Sequence, residues 1–190
     1  MKTLRPMSRP IVPAALLYVA LCVPASAEEV PAALALELPD IAARWGTDPG
    51  IVAAVEAQNA RHVSLDAIQE LDSRWQATSG LADFMLPYFD NDAAEALLRL
   101  EDQAGYVLES FVMDDQGAIV GATNKTSDYW QGDEAKFTES FKGGAGAIHV
   151  GEVEFDSSAQ AYLVQVSVPV MSEGEAIGAI TIGVDIGSWE

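Results

Sequence analysis

Aromatic and acidic side chains are concentrated in one stretch of the sequence, residues 128–137. The stretch contains Asp128, Tyr129, Trp130, Asp133, Glu134 and Phe137. Such a mixture could bind a cation, because the faces of aromatic rings attract an ammonium group and a carboxylate supplies the opposing charge. The same residues could instead fill the core and cap a short helix. We expect Asp133 and Glu134 to cap the helix, and we leave both roles open for residues 128–130.

Residues that bind metals or act as nucleophiles are scarce. The chain has two histidines, His62 and His149, and one cysteine, Cys22, which are too few for a zinc site with three or four ligands. The sequence motifs of serine hydrolases, phosphate-binding loops and zinc proteases do not occur. Ser157 or Ser158 could act as a nucleophile with His149, but a turn between strands explains both serines. We therefore expect a protein that is not an enzyme and that uses no metal or cofactor.

The charge balance is strongly acidic. The 190 residues include 29 Asp and Glu against 10 Lys and Arg, for a net charge of -19. Affinity for a phosphate backbone comes largely from Lys and Arg that release condensed counterions. This composition excludes nucleic acid as a main partner.

The first 27 residues have the order of a secretory signal peptide. Lys2, Arg5 and Arg9 precede an apolar run at 11–23, and small residues lead to Ala27. The run is shorter than the roughly 20 residues that a membrane-spanning helix needs. We expect export to the periplasm with cleavage after Ala27, and an uncleaved anchor is the alternative. Cleavage would remove the only cysteine, so no disulfide could stabilise the exported chain.

Residues 31–102 are predicted to be helical. Apolar residues recur there at intervals of three and four, and Ala, Leu, Glu and Gln are abundant. We expect three or four helices, one of them long. Breaks are predicted at Pro39, 46–50, 62–64, 79–80 and 90–92.

After Gly105 the pattern changes to that of strands. Five runs are rich in β-branched and aromatic residues, at 106–113, 119–123, 147–155, 162–170 and 176–184. Turn residues at 115–117 and 172–174 predict antiparallel hairpins, and 133–142 is predicted to be a short helix. The fold class is therefore α+β, with N-terminal helices followed by one five-stranded antiparallel sheet.

This order resembles that of the extracytoplasmic PAS-like sensor domains called PDC or Cache domains. The segments that carry the resemblance are 111–117, 126–137, 165–170 and 177–185. The resemblance covers 105–186, and it implies three regions: a signal peptide at 1–27, a helical region at 28–104 and a sensor domain at 105–190.

The resemblance also implies a ligand site between the sheet and the segment joining its second and third strands. The residues that it assigns to ligand binding are Asp128, Tyr129, Trp130, Tyr162 and Asp185. In the branch that binds amino acids and amines, a carboxylate at the position of Asp185 holds the ammonium group of the ligand. The ligand site would thus be a hollow with aromatic rings and carboxylates in its walls.

The sequence departs from that branch in one respect. The arginine that would bind a ligand carboxylate, expected shortly before the aromatic pair, is missing. Between 105 and 144 the cations are Lys125, Lys136 and Lys142. The resemblance therefore implies an amine without a carboxylate, or no ligand.

We predict a non-catalytic sensor or accessory module that binds a small cationic metabolite such as an amine. Its signal would pass to a separate membrane-bound signalling or transport partner, and the N-terminal helix is a candidate for pairing into a homodimer.

Gln58, Asn59 and His62 are expected to cap a helix or face solvent, with a contact surface as the alternative. Two other functions stay open: a constitutive scaffold or dimerisation protein with no ligand, and an exported hydrolase.

Overall fold

The computed structural model describes residues 30–156 and 160–189. The predicted signal peptide and its predicted cleavage after Ala27 lie outside the described residues, and so do Ser157 and Ser158. Within the described residues, no helix is long and apolar enough to cross a bilayer.

Among the described residues, four α-helices precede the sheet, and a fifth lies between its second and third strands. They are α1 (Ala32–Gly46), α2 (Pro49–Asn59), α3 (Leu65–Gln76), α4 (Asp92–Ala104) and α5 (Ala135–Phe141). The side chains of Asp48, Ser64 and Asn91 cap α2, α3 and α4 by accepting hydrogen bonds from free N–H groups of the first turn. The longest of the four helices before the sheet is α1, with 15 residues.

The predicted break at Pro39 is wrong, because α1 continues through that residue. Pro39 lies on the exposed side of the helix, where water can satisfy the carbonyl that its missing N–H leaves free. Leu34 before it and Ile41 after it are both buried. Burial on both sides of the proline thus holds the two turns in one helix.

The sheet has five strands, all antiparallel to their neighbours. They are β1 (Val107–Met113), β2 (Ile119–Ala122), β3 (His149–Asp156), β4 (Ala161–Ser172) and β5 (Glu175–Asp185). Their order is β2-β1-β5-β4-β3, so β2 and β3 are the edges. The predicted α+β fold is confirmed, and each predicted strand lies within two residues of an observed one at its start and end.

The two faces of the sheet are covered by different helices. Helices α1, α2 and α4 pack on one face, where Val164, Val166, Ile180 and Ile182 point into a shared core. Helix α3, the loops around it and α5 cover the other face, against Phe111 and other apolar residues of β1 and β2. We call these the helical face and the loop face.

Gln58 and Asn59 tie α2 to the two hairpins of the sheet. Gln58 Nε2 donates to Asp114 Oδ2 at 2.9 Å, and Asn59 Nδ2 donates to the Ile177 carbonyl at 2.8 Å. Asn59 Oδ1 also accepts from the backbone N–H of Asp115 at 3.1 Å. The expectation that these two side chains cap or face solvent is therefore wrong, because their amides form hydrogen bonds with polar groups of the two hairpins. These groups lie over 50 positions further along the chain, where a local sequence pattern cannot place them.

Candidate functional site

The predicted binding segment 128–130 is held in place by a carboxylate of α3. Asp72 Oδ1 accepts from the backbone N–H groups of Tyr129 at 2.8 Å and Trp130 at 3.0 Å. The ring of Tyr129 is 5% exposed and packs 5.7 Å from Trp75 and 5.1 Å from Tyr88, between centroids. Burial, with a smaller effect of Tyr88, raises the pKa of the Tyr129 hydroxyl far above its usual range. Tyr129 is thus part of an aromatic core.

Asp128 and Trp130 lie at a polar cleft of about 470 Å³. The cleft is lined by Gln69, Asp72, Ser73, Gln76, Asp128, Trp130, Asp133 and Glu134. Trp130 Nε1 donates to the Gln116 carbonyl at 2.8 Å, and Asp128 Oδ2 accepts from Ser127 Oγ at 2.6 Å. Within the part of the chain that the structure describes, no group of acidic or histidine side chains has the arrangement of a metal site.

Tyr162 and Asp185 lie apart from that cleft. Tyr162 alternates with Leu163, which lines the loop face, so Tyr162 points to the helical face. It is 44% exposed and meets Phe155 edge to face at 5.2 Å. Asp185 accepts from the Gly187 N–H at 2.9 Å and from Ser188 Oγ at 2.7 Å, so both of its oxygens stabilise the turn after β5.

The five predicted residues therefore do not converge on one hollow. Instead, a larger groove of about 500 Å³ opens on the loop face, between β3, β4 and the start of α5. We call it the glutamate groove. It is lined by Glu109, Glu134, Ala135, Lys136, His149, Val150, Gly151, Glu152, Glu154, Phe155, Leu163 and Gln165. None of the five residues assigned from the sequence is among them.

Glu109 lines the groove because the pairing register of β1 is irregular next to it. The register of β1 against β5 shifts between Val107 and Glu109, which places Glu109 opposite Gly183. A Cβ at position 183 would lie 2.6 Å from Cγ of Glu109. The glycine thus allows the Glu109 side chain to lie directly across β5 in the floor of the groove.

Glu134 and Lys136 form the wall at the start of α5. Lys136 Nζ lies 3.0 Å from Glu134 Oε2 and 5.6 Å from the centroid of the Phe111 ring. The Lys136 side chain is only 17% exposed. One ammonium group is therefore already bound here by a carboxylate and an aromatic face, the two kinds of group that a cationic ligand would need.

The expectation that Asp133 and Glu134 cap this helix is wrong. Glu134 is at the N-cap position of α5, yet the helix has no side-chain cap hydrogen bond. Its carboxylate pairs with the ammonium group of Lys136 instead. Asp133 lies at the polar cleft. By contrast, Phe137 is buried in the core, as the packing alternative predicts.

Sequence reasoning missed three of the four glutamates of the groove. Glu152 and Glu154 alternate with Val153 and Phe155 on β3, and this pattern indicates a strand with one acidic face. It could have identified them. Glu109 has no such signal, because its orientation depends on the register shift and on a glycine 74 positions further along the chain.

No family model matches the chain, and no curated protein matches it. Solved structures, in contrast, do match the chain. The sensor domain of the V. cholerae histidine kinase DctB is 15% identical with a TM-score of 0.46, over 82% of this chain and 51% of that one. The ligand-binding domain of the P. aeruginosa PAO1 amino acid chemoreceptor PctC, in complex with GABA, is 12% identical with a TM-score of 0.41, over 80% and 61%.

A third similar structure is the ligand-binding domain of the C. jejuni chemoreceptor Tlp3 in complex with 4-methylisoleucine, 12% identical with a TM-score of 0.40, over 82% and 61%. The chain thus spans between about half and three fifths of the length of these structures. At these identities the likeness concerns the fold alone. In fold, the chain is similar to sensor domains of histidine kinases and chemoreceptors, the class of protein that its sequence resembles.

Proposed function

We propose that the chain is an exported, periplasmic sensor or accessory module without catalytic activity. It binds a small cationic metabolite, an amine, in the glutamate groove. It passes the signal to a separate membrane-bound signalling or transport partner. The observation that carries the proposal is the convergence of four glutamates on one groove of about 500 Å³ that also contains one lysine.

The electrostatics of the groove support a cationic ligand. Carboxylates brought together at a partly desolvated surface repel one another, and a bound cation relieves that repulsion. Lys136 offsets the charge of Glu134, and three further glutamates, Glu109, Glu152 and Glu154, line the same groove. An ammonium group placed there would interact with negative charge on both sides.

The same electrostatics disfavour a ligand carboxylate. Lys136 is the one lysine or arginine among the lining residues, and its ammonium is already paired with Glu134. A ligand carboxylate would therefore meet like charge without a free cation to hold it. This supports an amine without a carboxylate, in agreement with the missing arginine of the sequence.

For Asp128 and Trp130 a binding role stays a proposal, located at the polar cleft rather than at the groove. Glu134 lines both the glutamate groove and the polar cleft, so a ligand in one site can affect the other through that residue. The contacts of Tyr129, Tyr162 and Asp185 support structural roles for these three. A ligand that prefers one arrangement of the segment between β2 and β3 would shift the population towards it, which is how a signal would reach a partner.

The proposal can be tested with three probes that have the same four-carbon chain: 1,4-diaminobutane, 4-aminobutanoic acid and succinate. A ligand that binds only the folded chain raises the midpoint of thermal unfolding. We expect the diamine to raise it, the amino acid to raise it less and the diacid to leave it unchanged. Glu109→Gln should weaken the effect of the diamine, whereas Glu70→Gln, at an exposed position on α3, should retain it in full.

An unchanged midpoint with the diamine would overturn the proposal and favour a constitutive scaffold. One observation supports that alternative: the space next to Tyr129 is filled by Trp75 and Tyr88 of the chain itself. The scaffold function makes a separate prediction, that partner binding is insensitive to any small amine.

A further inference from the structure

The two edges of the sheet differ in how their backbones are covered. The segment after β2 lies along the edge at β2: the Ile119 N–H donates to the Tyr129 carbonyl at 3.1 Å, and the Gln131 N–H donates to the Gly117 carbonyl at 2.8 Å. Along β3, the only described strand that pairs with it is β4. The outer side of β3 therefore presents backbone N–H and C=O groups to any strand that can pair with them.

Two kinds of side chain flank this open edge. Glu152 and Glu154 are exposed and acidic. Phe155 and Tyr162 form an exposed aromatic pair, 52% and 44% exposed, with ring centroids 5.2 Å apart. Exposed aromatic side chains of this size are common anchors in protein interfaces.

The charges decide which strand could pair here. A second copy would bring its own Glu152 and Glu154 against the same residues, in a chain whose net charge is -19. Acidic side chains on an edge strand oppose such self-association. They attract a segment of opposite charge, so the complementary partner is basic and extended.

We propose that the outer edge of β3, residues 149–155, docks an extended basic segment of a partner protein by strand addition. Backbone hydrogen bonds along β3 give affinity, Glu152 and Glu154 select basic side chains, and the Phe155–Tyr162 pair contacts the apolar side chains of the segment. This goes beyond ligand binding, because it assigns a surface to the partner.

The edge and the glutamate groove share residues. Glu152 and Glu154 belong to β3 and also line the groove. A docked basic segment would therefore change the electrostatic field of the groove, and an amine in the groove would weaken the attraction for the segment. The docking does not depend on a ligand, and it is measured with no amine present.

The test uses residues 28–190, which remain after the predicted cleavage, and three synthetic ten-residue peptides. The first alternates lysine and valine, the second has the same sequence with N-methyl groups on alternate residues, and the third alternates glutamate and valine. Fluorescence anisotropy measures binding. We expect the first peptide to bind at least about tenfold more tightly than its N-methylated twin, and the acidic peptide not to bind.

N-methylation blocks one edge of the peptide backbone without changing its charge. Equal binding of the twin would overturn the proposal, since it would mean charge attraction without strand pairing. No binding of the first peptide would overturn it as well. Hydrogen exchange locates the contact: the amides of residues 149–155 should exchange more slowly with the first peptide, and slowing elsewhere with no change in β3 contradicts the proposal.

Variants of the protein separate the contributions of the aromatic pair and of the two glutamates to peptide binding. Phe155→Ser should weaken binding of the first peptide, whereas Leu81→Ser, at another exposed apolar residue with 59% exposure, should not. The double variant E152K/E154K should reverse the preference towards the acidic peptide. Circular dichroism of each variant confirms folding, and the peptide comparison with the native chain stands without them.

Discussion

The Glu109 side chain lies directly over Gly183, its partner on the neighbouring strand, and a Cβ at that position would come within 2.6 Å of Glu109 Cγ. Gly183→Ala should therefore push the Glu109 carboxylate out of its position in the groove. Because the contact is with a flexible, half-buried side chain that can rotate away, the free energy of unfolding in urea should change little. We expect weaker stabilisation by 1,4-diaminobutane.

Gly151→Ala is the matched control for that variant. Gly151 also lines the groove, but a Cβ there would meet its nearest neighbour at 3.4 Å, an ordinary contact. The control should change the effect of the diamine little. If both alanine variants retain full stabilisation by the diamine, the position of Glu109 does not matter for binding.

Asp72 is predicted to be essential for the segment that joins β2 to α5. Asp72→Ala would leave the N–H groups of Tyr129 and Trp130 without their acceptor, and an unsatisfied buried donor costs about 1–3 kcal/mol. Urea unfolding should show this loss. Glu70→Ala, at an exposed position of the same helix, should show almost none, and equal losses in both variants would mean that the two hydrogen bonds are not responsible.

Glu101 should make the stability of the fold depend on pH. Burial raises its pKa above the ordinary 4.5, against the opposing effect of hydrogen bonds from Ser110 and Thr123. The folded chain then binds this proton more tightly than the unfolded chain, so its contribution to stability falls as pH rises from about 4.5 through the raised pKa.

Glu101→Gln should remove that dependence while keeping the acceptor atom, since Ser110 Oγ and Thr123 Oγ1 both donate to Oε1 of Glu101. Unfolding free energies measured in urea across this pH range should fall less steeply for Glu101→Gln than for the native chain. Asp102→Asn, at an exposed position on the same helix, should match the native slope. A Glu101→Gln slope equal to the native one would contradict the assignment.

The sequence was a good guide to the sheet, but it could not show which side chains come together on the sheet's faces, for physical reasons. Strands such as β4 and β5 could be located because the alternation of buried and exposed residues is local. Pro39 misled the helix prediction because long-range burial of its neighbours outweighed a local preference.

The site depends on relations that are not local. Whether Tyr129 faces a ligand or the core depends on Asp72 and Trp75, over 50 positions earlier in the chain. The resemblance pointed to Asp185 as a ligand carboxylate, but its oxygens accept bonds from the next turn. The glutamate groove could not be foreseen, since Glu109 joins the glutamates of β3 only when β1 pairs with β5.

The groove and the polar cleft can be distinguished as amine sites by two matched substitutions. Glu154→Gln removes a charge from the groove and Asp128→Asn removes one from the cleft, each with little change of shape. Because these carboxylates are partly exposed, each charge is worth about 0.2–1 kcal/mol, a change of up to about fivefold in affinity.

We expect Glu154→Gln to raise the dissociation constant of 1,4-diaminobutane, measured by calorimetry, and Asp128→Asn to leave it unchanged. The reverse result would move the amine to the cleft beside Trp130 and restore the binding role that the sequence suggests for this segment. Salt separates a local effect from a general one, since a loss of affinity that is equal for both variants and disappears at 0.5 M salt would reflect only the acidic surface as a whole. Such a result would leave the glutamate groove without a specific role in binding.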